Sequence, residues 1–515
     1  MIAVLTPTEM SHAEQVAIAN GSSVEMMMKK AGFAVARAAV ELAGGVYNKR
    51  FVIVCGKGNN AGDGFVAAKY LYDWGAYPVI VHPLEGLSGP LQGPAQQAMH
   101  SAKNIKTMSS VDARFADEIL RADVIIDAIV GTGFKGAFEA ASAKLIDVIG
   151  DASKPVLSID VPSGVNPLTG SAQVAVEATL TIAMGAAKTG TITGAGARRA
   201  GRVIVADIGC DVGAVHASVH QVEAADVARM IPKRDASSHK RSVGKVLVVA
   251  GSAAMPGAAI LAARGAFRAG AGLVRIAVPG AAASVVRSSV IEALTFSVGD
   301  DDAEWFTPDH VDQVMQWSDQ VDAIALGPGL GRERETLAFV DALVRRCGKP
   351  MVIDADGIFA IAAGPGALKS RQAGTLLTPH SGEMAHLLAS EPSSVDADRI
   401  ENARHAADMT GAVVVFKGSH SVIADPSGDV VVSTTGGPEL ATAGTGDVLT
   451  GISVAMLAAG LETMHAGWTS AWLHGSAGDR VAAARGVLGS TASDIVDAVP
   501  LVISELTGGE EAGRS

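Results

Sequence analysis

The sequence predicts an α/β protein made of two tandem units, on three observations. Short apolar, β-branched runs alternate with helix-patterned segments along most of the chain, which implies crossover connections and largely parallel sheets. Glycine-bearing turns follow those runs. Composition agrees: 48% of residues are hydrophobic and only 4% aromatic, with 59 glycines, which suits many strand-to-helix turns and closely packed helices. At 515 residues the chain also exceeds what one hydrophobic core organises, giving a prior of roughly two to four domains.

In the first series, strands are expected at 51–55, 78–82, 124–129, 156–159, 180–184 and 203–208, and a first domain is drawn over 1–215. Over 212–243 the apolar runs stop. That stretch ends in a polar, basic patch, Pro232-Lys233-Arg234-Asp235-Ala236-Ser237-Ser238-His239-Lys240-Arg241, the best linker candidate. A second series at 245–250, 273–278, 323–326, 351–353, 375–377, 412–416 and 430–433 places a second domain at 225–507. The tail 508–515 is expected to be disordered.

Lys plus Arg number 41 against 53 Asp plus Glu, a net charge of −12 that disfavours nucleic acid and anionic membrane surfaces as partners. A small anionic ligand stays open, because backbone dipoles bind phosphate whatever the net charge. Cys55, Cys210 and Cys347 are odd in number and widely spaced, which points to reduced thiols and a cytoplasmic setting. The N-terminus lacks the basic start and apolar run of a secretory signal. The stretch 448–461 is about a dozen residues, below the roughly 20 that span a bilayer, and is expected to be a buried helix. A homo-oligomer is the expected assembly.

After the run 51–55 comes Gly56-Lys57-Gly58-Asn59-Asn60-Ala61-Gly62-Asp63-Gly64, leading into a helical pattern over 65–74. Glycines let the backbone approach a ligand and a helix N-terminus offers free N–H groups, so a phosphate-binding turn is inferred. The spacing is neither a Walker loop nor a dinucleotide fingerprint, and a plain tight turn remains the alternative. Asp127 and Asp160 end strands and precede Gly131-Thr132-Gly133-Phe134-Lys135-Gly136 and Val161-Pro162-Ser163-Gly164. Ligands of open parallel sheets bind beyond the carboxyl ends of the strands, so the three turns are expected to line one crevice, with helix capping the plainer role for each Asp.

These motifs, over 58–64, 127–133 and 160–164, resemble the NAD(P)H-hydrate epimerase family across about residues 8–211. The resemblance implies a Rossmann-like three-layer domain in which Asn59, Asn60, Ala61, Gly62, Asp63, Gly131, Thr132, Gly133, Phe134, Lys135, Gly136, Ala137 and Asp160 contact substrate. It also implies that Asn60, Asp127 and Ser163 give oxygens to a potassium ion, a hard cation suited to such ligands. Ala61 departs from the family's usual Gly, and its methyl group crowds the turn if its φ is positive. The implied chemistry is reversible opening or proton exchange at the hydrated carbon of the nicotinamide ring. A carboxylate can act as acid and base there, and Asp160 is the candidate.

In the second unit, Thr442-Ala443-Gly444-Thr445-Gly446-Asp447 opens the helical pattern of 448–461. Glycines at a helix N-terminus make a nest of N–H donors for a transferring phosphoryl group, and the adjacent Asp can take a proton from the accepting hydroxyl. Lys417-Gly418-Ser419-His420-Ser421 follows the run 412–416, with a cation and two hydroxyls suited to a nucleotide; a surface turn is the bland alternative. Gly327-Pro328-Gly329-Leu330-Gly331 and Thr378-Pro379-His380-Ser381-Gly382-Glu383 also follow strands and are expected at the same rim.

These segments, with 245–252, 268–272 and 354–357, resemble the ADP- or ATP-dependent NAD(P)H-hydrate dehydratase family over about 225–505, and imply a ribokinase-like α/β domain. On that resemblance Ala258, Gly329, His380 and Asp447 hold the hydrate, and Lys417, Gly418, Ser419, His420, Ser421 and Gly446 hold the nucleotide. Ser381, where Pro is usual, Gly437 and Glu439 are departures. Hydroxide is a poor leaving group, so phosphorylating the hydroxyl of the hydrated carbon turns it into departing phosphate, with Asp447 as base and magnesium accompanying ADP or ATP. Hydrated NADH and NADPH are then the expected substrates. The competing reading is a ribokinase-like vitamin-precursor kinase carrying a non-catalytic N-terminal ligand-binding module.

Overall fold

The structure is a computed structural model that describes residues 1–82, 93–110, 112, 114–133, 140–234 and 243–508. Phe134, Lys135, Gly136 and Ala137, most of the basic patch of the expected linker, and the expected disordered tail beyond Gly508 lie outside the described residues. The chain divides into two compact units, one of residues 3–219 and one of residues 1–2 with 220–515. The α/β class is borne out in both.

The N-terminal unit carries a seven-stranded sheet in the order Lys106–Ser109, Tyr77–His82, Arg50–Cys55, Val124–Ala128, Val156–Ile159, Leu180–Met184, Arg202–Ala206, parallel throughout. Phe51, Ile53 and Cys55 enter one core while Val52 and Val54 enter another, so both faces are covered and the run is apolar at every position. The chain starts at Arg50–Cys55, moves outward, then returns to Val124–Ala128 on the other side. That reversal opens a crevice beyond the strand ends. The two loops meet closely: a Cβ on Gly56 would lie 1.9 Å from the Ile129 carbonyl.

The stretch expected to be a turn up to Gly64 is helical from Asn59, in the helix Asn59–Asp73. Its glycines serve packing: a Cβ on Gly64 would lie 2.8 Å from that of Ala128, and one on Gly62 would lie 2.4 Å from Met28 Cε. Ala61 is buried within this helix and has no positive φ, so the methyl group meets no backbone strain. The 212–243 stretch is likewise more ordered than a linker. It holds a 3-10 turn at Val212–Ala214, the strand Val219–Gln221 and the helix Ala224–Met230.

In the C-terminal unit the strands run in the order Leu294–Val298, Leu273–Pro279, Lys245–Val249, Ala323–Leu326, Met351–Ile353, Thr375–Leu377, Val413–Phe416, Ser421–Ala424, Val430–Ser433. Pairing is parallel as far as Val413–Phe416 and antiparallel beyond it. The order in which strands are added reverses between Lys245–Val249 and Ala323–Leu326, and there Gly251 N donates to the Pro328 carbonyl at 2.7 Å. The helix Thr445–Ala458 is buried almost all round. It crosses Pro256–Arg268 so closely that a Cβ on Gly451 would lie 2.1 Å from the Ala262 carbonyl. Among the described residues, no helix is long and apolar enough to cross a membrane.

Candidate active sites

At the N-terminal crevice, Asp160 sits immediately after its strand with φ +67°, a left-handed conformation that costs an aspartate strain and is held by the contacts around it. Its Oδ1 accepts from Lys188 Nζ at 2.5 Å and from Met184 N at 3.2 Å. Among the described residues its Oδ2 accepts only a long bond, 3.3 Å, from Thr132 N, and it is the oxygen that faces Gly131. Lys188 is fully buried and also donates to the Met184 carbonyl at 2.5 Å. This lysine was not singled out from the sequence; a cation ending a short apolar pair after the run 180–184 was the available signal.

Asn60 brings its carboxamide to the same place: a Cβ on Gly131 would lie 3.1 Å from Asn60 Oδ1 and 3.4 Å from Asp160 Oδ2, so both side chains crowd this glycine. Asn60 Nδ2 is buried with no hydrogen-bond partner among the described residues. Burial, reinforced by the charges of Asp160 and Glu14 and offset in part by Lys188, pushes the Asp63 carboxyl well above the ordinary carboxylate range. Burial also raises Glu14, against Lys188. One lysine thus faces three carboxyl groups.

Asp127 lies at the bottom of the crevice, fully buried. It accepts from Ser163 Oγ at 2.6 Å, Ser163 N at 2.9 Å, Ser158 Oγ at 2.8 Å and Ile129 N at 3.3 Å. Those four donors occupy about all the lone pairs a carboxylate has. Burial still outweighs them and raises the Asp127 pKa. Asp127 is therefore a buried negative charge behind Ser163, with Val130 N donating to the Ser163 hydroxyl at 3.1 Å.

In the C-terminal unit, Gly444 takes φ +89° and starts the helix Thr445–Ala458. The Thr445 hydroxyl donates back to the carbonyls of Leu440 at 2.8 Å and Thr442 at 3.0 Å, which closes the turn into a nest. A Cβ on Gly446 would lie 3.4 Å from Lys417 Nζ, and one on Gly444 3.9 Å from Asp447 Oδ2, so a cation and a carboxylate flank the nest. Burial, with Asp354 adding and Lys417 opposing, lifts the Asp447 carboxyl to about 7. Burial works to lower Lys417, but Asp354, Glu383 and Asp447 together raise it.

Asp354 lies in the segment 354–357 that helped carry the resemblance but was given no site role from the sequence. It ends the strand Met351–Ile353 inside the core, accepting from Lys417 Nζ at 2.8 Å and from Thr450 Oγ1 at 2.7 Å. Lys417 reaches Glu383 as well, at 3.6 Å. The structure therefore places the Lys417 ammonium at the glycine nest rather than with Gly418 and Ser419, which are exposed beyond it. Arg399, buried on the Phe416 ring at 3.7 Å, donates to the Phe416 and Lys417 carbonyls and fixes this strand end. His420 adopts φ +61° and Ser421 begins the next strand.

His380 caps the helix Ser381–Leu387: its Nδ1 accepts from Gly382 N at 3.0 Å and Glu383 N at 3.2 Å. That fixes the tautomer, since Nε2 must carry the proton. Ser381 is accommodated through a bond to Asp396 at 2.9 Å, and buried Glu439 accepts from Gly437 N at 2.6 Å. All three departures from the resembled pattern are locally satisfied. Ala258 and Gly329 meet at the reversal point, where Gly329 has φ +62° and a Cβ on it would lie 2.7 Å from that of Ala258.

Comparison with known proteins matches each unit to a family model. Residues 246–501 match the family model described as NAD(P)H-hydrate dehydratase, and residues 24–190 match that of the YjeF-related protein N-terminus. The bifunctional NAD(P)H-hydrate repair enzyme Nnr of Moorella thermoacetica is 37% identical over 492 residues, covering 93% of this chain and 92% of that protein. The Thermofilum pendens enzyme of the same name is 34% identical over 490 residues, covering 94% and 93%. Among solved structures, the ADP/ATP-dependent NAD(P)H-hydrate dehydratase from Bacillus subtilis, co-crystallised with ATP and Mg2+, is 29% identical and covers 56% of this chain and 99% of its own, with a TM-score of 0.49. With relatives of this identity spanning almost its whole length, the chain belongs to the family of bifunctional NAD(P)H-hydrate repair enzymes.

Proposed function

We propose that the N-terminal site interconverts the two epimers of hydrated NADH and NADPH through Asp160, and that the C-terminal site dehydrates the S epimer by phosphoryl transfer through Asp447. The observation that carries the reading is Asp447, a carboxyl lifted to about 7 beside a cation and a glycine nest. A base with its pKa near working pH is suited to accept a proton from a hydroxyl. As Asp447 takes that proton, the hydroxyl oxygen bonds phosphorus and the nucleotide's terminal P–O bond breaks. The N–H groups of residues 444–446 and the Lys417 ammonium meet the charge on the transferring group. Loss of phosphate from the hydrated carbon, with a proton from the neighbouring carbon, restores the dihydronicotinamide. Mg2+ is proposed to accompany the nucleotide here, as ATP/Mg2+ does in the Bacillus subtilis crystal.

In the N-terminal site, Asp160 Oδ2, the less strongly bonded oxygen among the described residues, acts as base on the hydroxyl, opening the ring C–N bond to a carbonyl. Asp63, held protonated, supplies the proton that the nitrogen side needs, and reclosure on the other face inverts the carbon. The unpartnered Asn60 Nδ2 is positioned to donate to the substrate. Potassium fits the oxygen-only surroundings: Asn60 Oδ1 and Ser163 Oγ would hold it, with Asp127 as the buried countercharge, and it would fix the crevice around the substrate. The strained, ion-paired Asp160 favours this over a non-catalytic binding module. Asp160→Asn tests it: epimer interconversion is expected to stop while dehydration of the S epimer continues, and unchanged interconversion overturns the assignment.

A further inference from the structure

The turn after the strand Met351–Ile353 sends two carboxylates in different directions. Asp354 meets Lys417 beside the nest at 2.8 Å. Ala355 then takes φ +50°, which residues with a Cβ rarely adopt, and Asp356 turns to the neighbouring loop instead. There its Oδ2 accepts from Gly331 N at 3.0 Å and its Oδ1 from Arg332 Nε at 2.9 Å. Loop and turn lie against each other, since a Cβ on Gly327 would be 1.9 Å from the Asp354 carbonyl and 3.0 Å from Gly357 N. Asp356 also adds its charge to those that lift the Asp447 carboxyl.

Arg332 is held as a fixed cation at this rim. Its guanidinium lies 4.3 Å over the Phe359 ring, which itself stacks on the His386 imidazole at 4.2 Å. Asp356 engages Nε alone, so the two Nη groups have no hydrogen-bond partner among the described residues. The side chain is 58% exposed, and an ion pair so open to water adds little stability. What the arrangement fixes is direction: a planar fork of N–H donors, the geometry that a phosphate accepts bidentately.

Of the segments gathered here, 327–332, 354–357, 378–383, 417–421 and 442–447, two carry a Lys or Arg: Lys417 and Arg332. Lys417 is committed to Asp354, Glu383 and the nest. The hydrate is a dinucleotide whose pyrophosphate lies one ribose from the reacting ring, and it must approach Asp354, Asp356, Glu383 and Asp447. It needs a cation. Arg332 is three residues from Gly329, within about 10 Å along the chain.

We propose that Arg332 is a specificity residue of the dehydratase, whose Nη groups take the pyrophosphate of the hydrated dinucleotide while Asp356 and Phe359 hold the guanidinium in place. This rests on the reading of residues 444–447 as the phosphoryl-transfer centre and of Gly329 as a contact of the hydrate. The role belongs to the KM of the hydrate, and leaves the chemistry at Asp447 and the binding of nucleotide alone.

The test uses the full chain with the S hydrate of NADH and ADP at varied salt. Arg332→Gln keeps the polar stem and loses the charge. The KM of the hydrate is expected to rise about 10- to 100-fold, with kcat and the KM of ADP within about threefold. In the parent, the KM of the hydrate should climb between about 0.02 and 0.3 M NaCl as the contact is screened, and in the variant that dependence should be largely lost. A KM for the hydrate within about twofold of the parent overturns the proposal. So does a rise that keeps the parent's salt dependence, because the residue would then only shape the Gly329 loop. A rise in the KM of ADP in place of that of the hydrate assigns the phosphate to the nucleotide and overturns it as well. Asp447→Asn run in parallel keeps the failures apart, because its retention of dehydration would remove the phosphoryl-transfer reading itself, whatever residue 332 does.

Discussion

Asp447→Asn is expected to abolish dehydration and, at the same time, to stabilise the C-terminal unit in a pH-dependent way. Folding lifts the Asp447 carboxyl from 3.8 to about 7, chiefly by burial and by the neighbouring Asp354. Between those values the unfolded chain has lost the proton that the folded protein keeps. The folded state binds more protons, so stability falls as pH rises through that window and the full cost is reached above pH 7. The rise corresponds to about 4 kcal/mol at pH 8 and to almost nothing below pH 4. Asparagine has nearly the same shape and no charge. The variant should therefore gain about 2 to 4 kcal/mol at pH 8, and this gain should shrink by roughly 2 kcal/mol at pH 5. Urea unfolding followed by tryptophan fluorescence reads it, because Trp305, Trp317, Trp468 and Trp472 lie in the C-terminal unit and only Trp74 lies in the other. A gain independent of pH, or a loss of stability at pH 8, would refute the argument that function holds a buried carboxylate there at the expense of stability.

Three further outcomes are expected. In the parent enzyme, kcat for dehydration should rise with pH and be half-maximal near 7, since only ionised Asp447 takes a proton; a flat profile from pH 5.5 to 8.5 contradicts this. Lys188→Met strands Asp160 in the core, so epimerisation should fall by about 100-fold or more and the N-terminal unit should lose about 3 kcal/mol. Dehydration of the S epimer should continue, and unaltered epimer exchange by NMR would exclude the lysine from the site. Gly56→Ala places a Cβ 1.9 Å from the Ile129 carbonyl, so the crevice must open. A loss of about 3 kcal/mol from the N-terminal unit is expected, and wild-type unfolding would show that the loops separate freely.

Strands buried on both faces, such as Arg50–Cys55 and Lys245–Val249, announce themselves as unbroken apolar runs. Edge strands do not: Lys106–Ser109 reads as polar and Leu294–Val298 was passed over, as was Ser421–Ala424, a short strand paired on both sides. Glycines misled at 58–64, where they permit a helix to lie close on the sheet rather than forming an open turn. The site motifs after the strands were legible because chemistry clusters at the carboxyl ends. The roles of Lys188 and Asp354 were not, since each acts through a partner far along the chain: Asp160 and Lys417. Sequence spacing carries no sign of such pairings.

The central claim is that one chain repairs both epimers, the second step at the cost of a nucleotide phosphoryl group. Its most direct test is the recovery of near-ultraviolet dihydronicotinamide absorbance from a mixed-epimer hydrate of NADH, with phosphate release measured alongside, in the presence of ADP, of ATP and of neither. Complete recovery that requires a nucleotide, with one phosphate released per NADH formed, is the predicted result. Recovery without nucleotide, or a stable phosphorylated product with no dihydronicotinamide, would contradict it.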